Sequence, residues 1–234
     1  MADLAIFTLG SPEVFWRDQP LALFRRQVRA LLYRLAAHHD FVPREQLCFL
    51  FWPDTPESKA RRNLTRVLSQ LRNELPAPEV LVVSNNRVGL APELVWSDAA
   101  AFEHLCSAEN GPSHLGALQQ AVDLYRGRFL AGFSLPENSE FEEWAHAEAH
   151  VFERSYLAAL GVLVELHRAQ GDLDGAIAYA QRYLATDELA EEVHRQLIEC
   201  YAAKGDRTAA VRQFKVCAAI LERELAISPL PVTL

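Results

Sequence analysis

The sequence has little of several features that mark whole classes of protein. Only four of its 234 residues are cysteine, and no two of them form a CxxC pair, so we expect neither a disulfide scaffold nor a zinc knuckle. Its ten glycines include no glycine-rich phosphate loop, which argues against a nucleotide-binding domain. No run approaches the roughly 18 apolar residues of a membrane span, and the N-terminus lacks a signal-peptide pattern. We therefore expect a cytoplasmic protein without membrane contact.

Catalytic and metal-binding patterns are also scarce. There is no GxSxG motif and no cysteine beside an activating motif, so we expect no enzyme and no cofactor. His146 and His150 have the i, i+4 spacing of a zinc pair. The metalloprotease pattern, however, needs a glutamate directly after the first histidine, and Glu148 should point away from both. Because no third ligand is evident, we expect surface or interface histidines and no metal site.

Charge is distributed unevenly along the chain, whose formal net charge is −8. Residues 1–97 hold 12 basic and 10 acidic residues, whereas residues 98–234 hold 11 basic and 21 acidic residues. The net charges are therefore +2 and −10. This asymmetry suggests two domains, 1–97 and 98–234, of which the first tolerates a polyanion and the second repels one.

The first 97 residues predict strands, then three helices, then a hairpin. The segments "LAIFTL", "EVFWR" and "PLAL" are rich in β-formers and separated by turns, which predicts two or three antiparallel strands. Apolar residues over 28–35 recur at helical spacing, and His38-His39 follow where positive charge suits the helix dipole. Pro43 should open the second helix, and Ser58 should be the N-cap of the third.

The third helix contains "SKARRNLTRVLSQLR", residues 58–72, which has five basic residues and no acidic one. Its apolar residues fall on one side at 100° per residue, namely Ala60, Leu64, Val67, Leu68, Leu71 and Leu75. The other side should present Lys59, Arg62, Thr65, Arg66 and Ser69. Guanidinium and small polar groups suit a helix in the major groove of DNA, and Arg61 and Arg72 on the flanks suit phosphates. The alternative is an ordinary solvated basic face, which the lack of an acid for i, i+4 pairing disfavours.

A hairpin should follow the third helix. In "EVLVVSNNRVGLAP" two apolar runs flank Asn85-Asn86, and asparagine tolerates the positive φ of a tight turn. Arg87 would lie just past the tip. Strands, three helices and a hairpin follow one another as in a winged helix-turn-helix, with Asn86 and Arg87 in the wing.

These segments resemble a known family. "RRQVRALLYRLAAHHDFVPREQLCFLFWPD", "ARRNLTRVLSQLRNEL" and "SDAAAFEHL" are similar to the winged helix, of OmpR/PhoB type, in the SARP family of bacterial transcription activators. The resemblance implies that the third helix enters the major groove of directly repeated sites on double-stranded DNA. Arg62 and Arg66 would then contact the major groove and Arg87 would serve the wing.

The second part is helical almost throughout, after a break at Gly111-Pro112, and it contains a repeat. "GDLDGAIAYAQRYLA" and "GDRTAAVRQFKVCAA" begin at Gly171 and Gly205, 34 residues apart. This period, with glycine at the turn and alanine at the helix crossing, predicts a tetratricopeptide-like α-solenoid. The fold class is therefore mainly α, with a winged helix followed by an all-α domain.

This part resembles the bacterial transcriptional activation domain that follows the winged helix in SARP proteins. "AVDLYRGRFLAGF" and "DELAEEVHRQLIECYAAKGDRTAAVRQF" are among the matching segments. The resemblance implies recruitment of RNA polymerase or a sigma factor, and assembly as a homodimer on adjacent repeats. The alternative is a protein-interaction scaffold whose winged helix does not bind DNA. Salt-dependent DNA binding would separate the two hypotheses.

Overall fold

The computed structural model describes residues 3–38, 40–84, 86–107 and 114–233. The predictions for His39, Asn85 and Gly111-Pro112 lie outside these ranges. By packing, the chain divides into two compact units, one from Met1–Ser107 and Asp123–Glu153 and the other from Ala108–Val122 and Arg154–Leu234. The boundary between residues 97 and 98 was drawn from charge and resemblance, and it stays a prediction.

A four-stranded sheet opens the first unit. Strands β1 (Leu4–Phe7), β2 (Glu13–Trp16) and β3 (Gln19–Pro20) are antiparallel neighbours. The antiparallel arrangement was predicted, but of the predicted third strand "PLAL" only Pro20 lies in β3. The fourth strand pairs with β1 in parallel and was not predicted. It spans only three residues, Val95–Ser97, which is too short to show the alternation that marks a strand.

Three helices follow, α1 (Arg26–Ala36), α2 (Arg44–Phe51) and α3 (Glu57–Glu74). The buried residues of α3 are the predicted ones, Ala60, Leu64, Val67, Leu68 and Leu71. The helix starts two residues before the start that a Ser58 N-cap implies, and Pro56 occupies the N-cap position without a side-chain cap. Ser58 was therefore the wrong N-cap, because the acidic Glu57, favoured by the helix dipole, already belongs to the first turn.

A second sheet carries the hairpin. Strands β5 (Leu81–Ser84) and β6 (Arg87–Leu90) pair antiparallel, with Ser84 opposite Arg87. A short strand β4 (Val42–Pro43) pairs with β6, and Pro43 is the N-cap of α2, not its first residue. Asn86 has a φ of 62°, so the predicted left-handed asparagine is confirmed at this position. With α1 to α3, the hairpin completes the predicted winged helix-turn-helix.

The first unit also contains α4 (Asp98–Cys106) and part of the following chain. The buried Asp98 carboxylate accepts hydrogen bonds from the backbone N–H groups of Thr8 (2.7 Å) and Leu9 (3.0 Å). The N–H of Leu130 donates to the Thr8 carbonyl at 2.8 Å. Burial raises the pKa of Asp98. Through these hydrogen bonds, Asp98 and Leu130 contact the residues that directly follow β1.

The second unit is all helical in its described residues. It contains α5 (His114–Leu124) as far as residue 122, α6 (Ser139–Ala169) from residue 154, α7 (Leu173–Thr186), α8 (Glu191–Ala203) and α9 (Arg207–Leu225). One buried cluster joins α6, α7 and α8 through Val164, Ala180, Val193 and Leu197. Across the described ranges of both units, no helix combines the length and apolarity needed to cross a membrane.

The 34-residue repeat has the same turn geometry in both copies. Gly171 and Gly205 have φ values of 74° and 79°, a conformation that glycine adopts without strain. Asp172 then caps α7 by accepting from the N–H of Gly175 at 3.0 Å. Asp206 caps α9 in the same way. The repeat read from the sequence is therefore confirmed as two equivalent helix–turn–helix junctions.

Candidate nucleic-acid interface

The polar side of α3 is open to solvent. Lys59, Arg62, Arg66 and Ser69 are all exposed, and in the described part of the chain none of their side chains has a hydrogen-bond or ion-pair partner. The opposite, apolar side of α3 is buried. The helix is therefore fixed along one side and offers unengaged donors along the other, which is the arrangement that a helix in a major groove requires.

Thr65 is held in place by an arginine that the sequence analysis missed. The Arg44 guanidinium donates to the Thr65 hydroxyl at 2.9 Å, and that hydroxyl donates to the Arg61 carbonyl at 2.9 Å. The backbone N–H of Arg44 also donates to the carbonyl of Asn86 at 3.0 Å. Arg44 thus connects α3 with the hairpin. Its position beside Pro43, at the start of α2, was the available signal, because the helix before the recognition helix commonly crosses the DNA backbone.

Arg61 has acidic partners that the basic stretch by itself did not reveal. Its guanidinium contacts Glu57, four residues earlier in α3, at 2.6 Å and Glu45 of α2 at 3.2 Å. The prediction that α3 lacks an acid for i, i+4 pairing is therefore wrong for Arg61. Its partner Glu57 belongs to α3 but directly precedes the basic stretch, residues 58–72. Arg61 remains exposed, and its contact with phosphate stays a prediction.

The other flank and wing residues make hydrogen bonds to the backbone. Arg87 donates from Nε to the Phe41 carbonyl at 2.8 Å, and Arg72 donates to the Leu81 carbonyl in β5 at 3.3 Å. Both side chains are exposed, and a guanidinium has five N–H donors. One hydrogen bond therefore orients each arginine side chain, and its remaining N–H donors stay available to a phosphate. Asn86 lies exposed at the turn.

The histidine pair of α6 behaves as a hydrogen-bonded surface pair. The Nε2 atoms of His146 and His150 are 2.8 Å apart, and the Arg128 guanidinium is 2.6 Å from His146 Nδ1. Glu148 turns elsewhere, to His38 (3.2 Å) and the indole N–H of Trp144 (2.9 Å). Over the described ranges, no group of three or more histidine, cysteine, aspartate or glutamate side chains is arranged to hold a metal ion.

His38 lies between two carboxylates. Its Nε2 faces Glu148 at 3.2 Å and its Nδ1 faces Glu103 at 3.0 Å. The hydrogen bond with Glu148, together with that of Glu103, outweighs burial and raises the pKa of His38 to about 9. A protonated His38 ring therefore links the chain just after α1 to α4 and α6. The predicted contact of His38 with the dipole of α1 stays a prediction.

Comparison with known proteins identifies the family. The family described as the bacterial transcriptional activator domain matches residues 97–234, which is more than half of the chain. The chain belongs to this family. The match confirms the resemblance to SARP-type activators, and it places this protein among transcription regulators and not in an enzyme family.

Solved structures add a likeness of fold. The chain is similar to Mycobacterium tuberculosis EmbR, solved in complex with a low-affinity phosphopeptide, with a TM-score of 0.68 and 21% sequence identity. That likeness covers 100% of this chain and 63% of the EmbR chain. This chain therefore spans less than two thirds of the length of EmbR. No curated protein matches the sequence.

Proposed function

We propose that this activator binds directly repeated promoter sites on double-stranded DNA and recruits RNA polymerase or a sigma factor. The DNA-binding domain would comprise residues 1–97 and the activation domain residues 98–234. The protein would work in the cytoplasm, where bacterial promoters lie, without catalysis. The observation that carries the proposal is the polar side of α3, where Lys59, Arg62 and Arg66 are exposed and unpaired in the described structure.

The proposed DNA contacts divide into two kinds. Arg62, Arg66 and Lys59 would enter the major groove, where a guanidinium can donate two hydrogen bonds to guanine. Thr65 and Ser69 would meet base edges or the thymine methyl group. Arg44 supports this arrangement because it holds the Thr65 hydroxyl at 2.9 Å. The other contacts, to phosphates and the minor groove, come from the flank and the wing, namely Arg61, Arg72, Asn86 and Arg87.

The second part of the chain would act on proteins. Its net charge of −10 disfavours contact with DNA, and it suits basic segments of the transcription machinery. Two copies on adjacent repeats would form the homodimer that the family resemblance implied. Because direct repeats place two copies in the same orientation, the contact between them would be head-to-tail.

The experiment is to sequence the genomic DNA fragments that the full chain retains. We expect enrichment of fragments that share a directly repeated motif. The matched control is the double variant Arg62→Ala, Arg66→Ala, which should retain no such motif while its circular dichroism stays unchanged. Retention of no motif by the unmodified protein would contradict the proposal and favour the interaction scaffold without DNA binding.

A further inference from the structure

Phe49 is an exposed aromatic residue in the last turn of α2. Its exposed fraction is 61%, although Leu47, Cys48 and Phe51 of the same helix are buried. Depressions of about 450 Å³ and 620 Å³ lie on its two sides. Both include Glu45 and Phe49 in their walls. Phe49 is therefore a ridge between two concave surfaces of the first unit.

The larger depression combines an apolar floor with acidic walls. Phe49, Leu50 and Trp144 supply apolar surface, and Glu140 and Glu143 from the first turns of α6 lie beside them. We call this surface the Phe49 groove. Its volume of about 620 Å³ falls in the range of about 300–1,000 Å³ that ligand sites in proteins commonly enclose.

The charge of the Phe49 groove is not balanced by its own cations. Glu140 and Glu143 have no ion-pair partner in the described part of the chain. Arg34 is directed to the Trp144 ring, 5.1 Å from its centre, and it does not form a pair with either glutamate. Glu45, by contrast, is paired with Arg61. The groove therefore presents apolar surface next to two carboxylates without an ion-pair partner, and Arg34 also belongs to its lining.

We propose that the Phe49 groove binds a basic amphipathic helix of a partner protein. Amphipathic helices dock in grooves by inserting apolar side chains at i, i+3, i+4 and i+7. A leucine or phenylalanine would pack on Phe49 and Leu50, and a lysine or arginine on the flank of the helix would meet Glu140 and Glu143. The carboxylates exclude DNA and acidic helices from this groove by repulsion. The proposal goes beyond the proposed DNA contact and does not depend on it.

The test uses the full chain and a library of helical peptides of about 16 residues, in which the apolar stripe and its flanks are randomised. We expect selected peptides to be basic and amphipathic. Phe49→Ser should weaken their binding about tenfold or more, since a buried aromatic anchor carries much of such an interface. The double variant Glu140→Gln, Glu143→Gln should weaken it about threefold or more and lower its salt dependence.

Two control variants distinguish peptide binding in the Phe49 groove from nonspecific binding elsewhere on the surface. Phe24, with an exposed fraction of 85%, is the matched aromatic, and Phe24→Ser should leave peptide binding unchanged. Glu222 of α9 is an exposed acid, and Glu222→Gln should also have no effect. DNA affinity measured on the same variants should stay constant, which keeps this proposal separate from DNA binding. Selected peptides that are neutral or acidic, or that bind Phe49→Ser as tightly as the unmodified protein, would overturn the proposal.

Discussion

Several cations of the second unit form ion pairs, whereas three exposed cations on the polar side of α3 form none in the described part of the chain. In the second unit, Arg168 contacts Glu199 at 2.5 Å, and Arg223 contacts Glu188 at 3.1 Å. Arg195 and Lys204 also have carboxylate partners there. On the polar side of α3, the described structure gives Lys59, Arg62 and Arg66 no such partner.

This difference shows which cations are available to a ligand. An exposed ion pair contributes only about 0–1 kcal/mol to stability, but it commits the side chain to one neighbour. An unpaired guanidinium keeps all its donors in water and can transfer them to DNA. The formal net charge of +2 in residues 1–97 and −10 in residues 98–234 agrees with this division.

Placing a charge on the buried side of α3 should have the largest effect on stability. Leu68 is 4% exposed, so Leu68→Asp places an unpaired charge in the core, at a cost of about 4 kcal/mol or more. We expect loss of cooperative unfolding of the first unit, measured by circular dichroism against urea. Ser69→Asp, on the exposed side of the same helix, is the control and should leave the protein folded. A cooperative, stable Leu68→Asp protein would show that the core side of α3 is misassigned.

The sequence predicted those features that depend on local periodicity. Leu64, Val67 and Leu71 repeat at helical spacing, so the buried side of α3 could be read from the chain. The parallel pairing of β1 with Val95–Ser97 could not, because it joins strands about 90 residues apart that leave no shared pattern.

Pairing between elements was equally hidden from the sequence. Arg44 lies on α2, and only the fold brings it to Thr65 and to the hairpin. Glu45 reaches Arg61 in the same way. The sequence therefore predicted which side of α3 faces outward. It could not predict the contacts that orient Thr65 and Arg61, because these depend on the packing of α2 against α3.

Removing unpaired arginines should weaken DNA binding without affecting the fold. We expect Arg62→Ala or Arg66→Ala to cost about 1–3 kcal/mol of specific binding, measured by fluorescence anisotropy on a selected site. Arg212 of α9, which is also exposed and unpaired in the described structure, is the matched control from the second unit. If Arg212→Ala weakened binding as much as the α3 variants, the comparison between the two regions would fail.

The His38 contact should make stability depend on pH. Since the pKa of folded His38 is raised to about 9, its stabilisation is complete below about pH 6.5, the unfolded pKa, and is lost as pH rises through 9. We expect His38→Gln to lower the free energy of unfolding by about 1–2 kcal/mol at pH 6, and to have little effect above pH 9.5. Urea denaturation at both pH values measures this, with His104→Gln as the exposed control. An equal loss at both pH values would mean that His38 acts through packing and not through charge.

Breaking an ion pair of the second unit should have the smallest effect. Arg168 contacts Glu165 and Glu199, and we expect Arg168→Ala to change stability by less than about 1 kcal/mol. DNA affinity should not change, because this arginine is already engaged. Thermal unfolding and the same anisotropy assay check both parts. Weaker DNA binding by Arg168→Ala would show that paired cations also reach the nucleic acid.

The most direct test of DNA binding is its dependence on salt. Each phosphate contact on duplex DNA lowers the slope of log K against log salt by about 0.9. If Arg61, Arg72 and Arg87 all contact phosphates, the slope for the full chain on a selected site should be about −2.7 or steeper. The triple variant with alanine at these positions should have a slope nearer to zero and remain folded. A flat response of the unmodified protein between about 50 and 200 mM salt would contradict the assignment of α3 and the wing as a DNA-binding surface.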